Sequence, residues 1–154
     1  SPAPLNPGNH RYFISLGQAM ESLAIYLGEP SLLQEAVVYY RQAAVLAPRH
    51  YPIQEKIGLL LEKLGQLREA EGHLREVVRL EPHYLRGWFT LGTFLSRYGW
   101  IEESREAYLR GRRSAALELV KKVTTPYERA LVDFDSELFE NRLKEIENMG
   151  SRKE

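Results

Sequence analysis

Cysteine is absent from the 154 residues. That excludes disulfides, thiolate zinc sites, iron–sulfur clusters and cysteine nucleophiles. It leaves the compartment open between cytoplasm and periplasm, because reducing and oxidising environments both tolerate a cysteine-free chain. No apolar run approaches the roughly 18 residues that span a bilayer, so no direct membrane insertion is expected of this chain. An excess of one charge is missing too. Lys plus Arg and Asp plus Glu both number 21, a balance that argues against nucleic acid as the partner and gives no draw toward anionic headgroups. Phosphate-loop, dinucleotide-binding and nucleophile-elbow patterns are also missing. The chain is therefore expected not to be an enzyme and to need no cofactor.

What remains is 44% hydrophobic and 27% charged, the balance of a globular chain able to bury about 70% of its unfolded surface. Pro2, Pro4, Pro7 and Gly8 make residues 1–9 an extended lead-in. The start at Ser1-Pro2-Ala3-Pro4 reads as a mature form or a piece of a longer protein. Asn9 is placed to cap a first helix over about 10–27.

Shifted by 34 residues, the chain overlays itself without gaps. Leu23-Ala24 falls on Ile57-Gly58 and Leu91-Gly92. Leu27, Leu61 and Leu95 coincide, as do Ala36, Ala70 and Ser104, and Tyr40, Leu74 and Tyr108. Pro48 falls on Pro82. Gly58 and Ala70 are small where paired helices must cross closely. Gly65 and Gly99 break the chain between the paired helices, and Pro48 and Pro82 end the second helix of each pair.

The pattern Trp88-x2-Leu91-Gly92-x2-Leu95, then Ser104-x3-Tyr108, resembles the tetratricopeptide repeat, a 34-residue helix–turn–helix unit. The resemblance implies an all-α fold: a right-handed α-solenoid of three hairpins, at 17–50, 51–84 and 85–118, plus a C-terminal capping helix, the domain covering 10–149. Three departures stand out. The first copy turns early, at Gly28-Glu29-Pro30. Gln54 stands where a bulky apolar residue is usual. The third copy has Ala116 in place of the closing proline, so its second helix is expected to run from about Glu102 to Val123.

Thr125 and Glu128 form a capping-box pattern around Pro126. One capping helix is expected over 126–148, with a frayed tail at 150–154. Tyr127, Leu131, Phe134 and Leu138 form the stripe expected to cover the third repeat. Val132, Phe139 and Ile146 recur every seven residues and are assigned to an adjoining face able to seam a weak homodimer.

His10, His50, His73 and His83 never pair at the three- or four-residue spacing that puts two ligands on one helix face, and no metal site is expected. Most aromatics fall at core positions of the repeat; Phe89 and Trp100 are the least explained by it. Arg105, Arg110, Arg112 and Arg113 lie on one helix, as a solvated face or as a docking patch for an acidic partner or lipid headgroups.

The resemblance implies a non-enzymatic interaction module that binds a peptide or partner helix in the concave groove lined by the first helices. The candidate groove residues are Gln18, Glu21, Ile25, Glu55, Leu59, Glu62, Arg86, Phe89, Thr93 and Arg97. Leu59 and Phe89 would supply apolar contact, Glu55 and Glu62 an acidic middle, Arg86 and Arg97 a basic end. Members that grip chaperone C-terminal carboxylates do so with Lys and Asn in the first two repeats. Glu21 and Ile25 occupy the corresponding region here, which disfavours such tails. The opening residues and long first helix also resemble tetratricopeptide domains of bacterial envelope membrane proteins, such as O-antigen ligases and polymerases or secretion assembly factors, whose chemistry lies elsewhere. A regulatory domain binding a small ligand or oligosaccharide is a third expectation.

Overall fold

Helix boundaries follow local backbone chemistry. The computed structural model describes residues 7–151, and every regular element among them is a helix. In order these are α1 (His10–Leu27), α2 (Ser31–Leu46), α3 (Tyr51–Lys63), α4 (Leu67–Leu80), α5 (Leu85–Arg97), α6 (Ile101–Val120), α7 (Pro126–Val132) and α8 (Glu137–Ser151). Residues 1–6 of the expected lead-in and 152–154 of the expected tail lie outside the described residues. The chain divides into two units, Ser1–Leu80 and Glu81–Glu154.

Asn9 caps α1: its side chain accepts from the Arg11 amide at 3.0 Å. The three hairpins then turn in the same way. Gly28, Gly65 and Gly99 take the left-handed conformation, with φ of 66°, 76° and 86°, where a side chain would be strained. The next amide in each turn reaches back five residues, Glu29 to Ala24 at 3.0 Å, Gln66 to Leu61 at 2.9 Å and Trp100 to Leu95 at 2.9 Å. This is the Schellman closure, which satisfies carbonyls that a helix end would leave without donors.

In the first unit α1 packs on α2, α2 on α3 and α3 on α4. The core is Val37, Tyr40, Ile53, Ile57, Leu60, Leu61, Leu74 and Val77, all nearly inaccessible to water. Burying each of the large aliphatic chains stabilises by roughly 1.5–3 kcal/mol. A Cβ added at Gly58 would stand 2.8 Å from Leu74, so the small residue is what lets α3 and α4 cross closely. The first hairpin has a different register. Tyr40 covers Gly17, not the Ala24 that the 34-residue shift aligns with Gly58. Leu23 and Leu27, aligned with core residues of the later copies, are 41% and 54% exposed.

In the second unit α5 packs on α6, which also carries α8, while α7 lies against α5. Tyr108 crosses Gly92, and Phe139 of α8 crosses Gly111 of α6. The Trp88 indole N–H and the Ser114 hydroxyl both donate to the Pro82 carbonyl, at 2.8 and 3.2 Å, fixing the turn before α5 onto α6. Trp100, unexplained by the repeat, lies against Phe94 and Tyr98.

The C-terminal segment corrects two expectations. The span 126–148 is not one helix: it breaks over residues 133–136 between α7 and α8. The Asp135 side chain accepts from the Glu137 amide at 3.1 Å and starts α8 afresh. That break resets the helical phase. Phe139 and Ile146, assigned to a self-association face, are instead 0% and 8% exposed and belong to the protomer's own core with Leu131 and Leu143. Tyr127 and Leu138, assigned to the cover, are 57% and 36% exposed. No free Phe139–Ile146 seam is left for a second copy.

Candidate functional site

Within the first unit the candidate residues come from α1 and α3. Gln18 and Ile25 are exposed, and Ile25 reaches 81%. Glu55, Leu59 and Glu62 on α3 are half-buried. Glu21 is already engaged. It accepts the Tyr40 hydroxyl proton and, through its other oxygen, the Lys56 ammonium at 3.0 Å. The network joins α1, α2 and α3. Burial, then the bond to Glu21 and its charge, hold the Tyr40 phenol far above its ordinary pKa. Lys56 therefore offsets part of the acidity that Glu21 would bring to this face.

Gln54, the polar exception in the repeat pattern, finds its reason here. Its side-chain oxygen lies 2.7 Å from His73 Nδ1. Burial, with the positive charge of Arg41, pushes the His73 pKa down, while Glu69 and Glu76 oppose that. His50, at the N-cap of α3, lies with its ring centroid 5.6 Å from that of His10. Burial first, then His10 and Arg11, push His50 down as well. Among the described residues no group of three or more metal-binding side chains converges.

Within the second unit α5 contributes Arg86, Phe89, Thr93 and Arg97, and the helix contains no carboxylate. Thr93 and the Tyr108 hydroxyl are 3.0 Å apart. Phe89 is not an open contact surface. Its ring packs against those of Phe134, Tyr108 and Phe139, with centroids at 5.2, 5.7 and 6.0 Å. Arg142 lies over Phe89 at 5.7 Å, and Arg86 over Phe134 at 5.6 Å. Each is a cation–π contact to the face of a ring. The segment that follows the third repeat thus covers the apolar residue that periodicity placed on the groove.

The arginines of α6 are largely matched. Arg105 faces Glu102, Arg110 pairs with Glu106 and lies over Trp88, and Arg112 pairs with Glu140 of α8. A docking patch of four free cations is not what α6 presents. The residues that periodicity missed are the exposed apolar ones near the ends of α1 and α2, Leu23, Tyr26, Leu27, Val45 and Leu46, with Val38 midway along α2. Their signal was the early turn at Gly28, which moves the register of the first hairpin.

A family profile described as tetratricopeptide repeat matches residues 51–84. No curated protein matches the sequence significantly. Among solved structures, the chain is similar to the Sgt2 TPR domain from Aspergillus fumigatus, at 18% identity and a TM-score of 0.58, covering 95% of this chain and 88% of that one. It is similar to the first TPR of Spaghetti (RPAP3) bound to the HSP90 peptide SRMEEVD, at 15% identity and 0.62, covering 96% and 97%. It is also similar to the type III secretion chaperone SycD of Yersinia enterocolitica in complex with a peptide of the translocator YopD, at 16% identity and 0.58, covering 86% and 93%. Residues 51–84 are a tetratricopeptide repeat, and the chain as a whole has the all-α fold of a tetratricopeptide-repeat protein.

Proposed function

We propose that the chain is a non-enzymatic protein-interaction module that takes a peptide or partner helix against the first helices of its repeats. The observation that carries this reading is an apolar residue off the core: Ile25 is 81% exposed on α1. On α3 the half-buried Leu59 stands among Glu55 and Glu62. An apolar anchor with charged neighbours on a rigid helix is the kind of surface that recognises an amphipathic segment. Two of the similar structures are described as holding peptides, from HSP90 and from YopD, which supports a peptide as the ligand class. Glu21, bonded to Tyr40 and Lys56, does not favour an acidic C-terminal tail on the first unit.

The test is selection of a displayed peptide library against the full chain. Enriched peptides are expected to bind with micromolar affinity and to lose at least about tenfold, or roughly 1.4 kcal/mol, on Leu59→Arg or Ile25→Arg. Failure to enrich any peptide, or peptides indifferent to both substitutions, would sink this assignment.

A further inference from the structure

The cluster around Phe89 has the composition of a binding site and an occupant from the same chain. Phe89 and Phe139 pack edge to face with centroids 6.0 Å apart, and the Phe134 ring lies over the pair, its centroid 5.2 Å from each. Arg86 covers Phe134 from one side. The occupant is presented on a strongly acidic stretch: Phe134 lies between Asp133 and Asp135, with Glu137 close behind. The helix beneath, α5, carries Arg86 and Arg97 and no acidic residue. A ring flanked in sequence by carboxylates thus lies on an aromatic pair bordered by the guanidinium groups of Arg86 and Arg142.

The occupant is also attached so that it can leave without the rest of the cap. α7 has seven residues, and irregular chain flanks it at 121–125 and 133–136. It is held by buried Leu131, by Phe134, and by a hydrogen bond from the Tyr127 hydroxyl to Glu81 at 2.7 Å. α8 is anchored independently, through Phe139 over Gly111 and the Arg112–Glu140 pair. Withdrawal of α7 and its connector would bare Phe89 and Arg86 while α8 stayed in place.

We propose that the Phe89–Phe139 pair, with Arg86 and Arg142 beside it, is a binding site for a peptide bearing an aromatic side chain flanked by carboxylates, and that Phe134 is the chain's own occupant, displaced when such a peptide binds. The proposal rests on the peptide-binding reading above and adds the ligand class and the closed state of the site.

The experiment is fluorescence anisotropy with a labelled synthetic peptide that copies residues 131–138, Leu-Val-Asp-Phe-Asp-Ser-Glu-Leu, titrated with the full chain. The parent protein is expected to bind it weakly, and Phe134→Ala about tenfold more tightly, the order of one aromatic contact. Adding Arg86→Glu should return the affinity to the parental level, and a peptide with alanine for phenylalanine should not bind. Circular dichroism checks that Phe134→Ala is folded. If it is not, Tyr127→Phe decides instead, since it removes the bond to Glu81 and keeps the ring in place; a gain of severalfold is expected. Equal affinity for the parent and the folded opened variant overturns the proposal, as does binding indifferent to Arg86→Glu. Library-selected peptides that still depend on Leu59 or Ile25 would then leave the broader function standing and remove only the site at Phe89.

Discussion

Tyr40 lies across Gly17: a Cβ there would meet its ring at 2.8 Å. The equivalent side chains Leu74 and Tyr108 lie across Gly58 and Gly92, which the 34-residue shift aligns with Ala24. The difference follows from the turn. Gly28 closes the first hairpin three residues before the position that Gly65 and Gly99 hold in theirs. The arm from the turn to Tyr40 is longer by those residues. In an antiparallel pair the partner must then lie about one helical turn further from the bend, and that residue is Gly17.

The register shift predicts unequal effects at aligned positions. Leu27 is 54% exposed whereas Leu61 is fully buried. Leu61→Ala should destabilise by about 2–5 kcal/mol, and Leu27→Ala by less than about 1 kcal/mol. Urea denaturation of both variants checks this. Similar losses at the two sites would mean that the first hairpin pairs like the others.

Glycines differ in the same measurable way. A Cβ at Gly111 would lie 2.3 Å from the Phe139 ring and 2.9 Å from the Cβ of Trp88, while one at Gly72 meets nothing within 4 Å. Gly111→Ala should therefore force Phe139 outward and destabilise by about 1–3 kcal/mol. Gly72→Ala, in the body of α4, should stabilise by about 0.4–1 kcal/mol by restricting the unfolded chain. Thermal melts should move in opposite directions.

Much of this was readable from residue types. The second and third hairpins follow from Gly58, Gly92, Gly65 and Gly99, because each answers a local need for a close crossing or a left-handed turn. The capping box was readable as well: the Thr125 hydroxyl accepts from the Glu128 amide at 3.1 Å, and Glu128 accepts in return from the Thr125 amide at 3.0 Å. The amides of Thr125 and Thr124, both donating to the Glu128 carboxylate, hold its pKa down to about 2. The failures share a cause. Periodicity counts along the chain, whereas packing counts from the last break. The early turn at Gly28 displaced Leu23 and Leu27, and the break at 133–136 brought Phe139 and Ile146 into the core and left Leu138 outside, while Leu131 is buried and Phe134 lies over Phe89, as the expected cover. Phe89 was misplaced for another reason: helical spacing identifies the face a residue occupies, but not that Phe134, far along the chain, returns to cover it.

Two histidines make the first unit sensitive to acid. Both His50 and His73 have their pKa lowered in the fold, mainly by burial. The unfolded state, with an ordinary value near 6.5, binds protons first. Stability is then full above about pH 6.5 and falls as pH drops through the lowered folded values. Urea midpoints should be lower at about pH 5 than at about pH 7.5. His73→Gln with His50→Gln should flatten that slope between the two pH values. An unchanged slope in the double variant would assign the acid sensitivity to the carboxylates.

Phe139 and Ile146 provide the sharpest test of how the C-terminal segment works. On a free face, replacing both with glutamate would leave the protomer folded and at most split a dimer. Inside the core, with exposures of 0% and 8%, the same change buries two carboxylates, the one at position 139 against Phe89 and Gly111. An unpaired buried charge is strongly unfavourable, so the chain must expel α8 or unfold. Phe139→Ala alone should cost about 3–5 kcal/mol through lost burial and the cavity left over Gly111. The double glutamate variant should lose helix content by circular dichroism and open Trp88, which lies beside Gly111 under Phe139, to fluorescence quenchers. Sedimentation at several concentrations, with undiminished helix content and a melting temperature like that of the parent, would return these two residues to the surface and overturn the packing of α8 on α6.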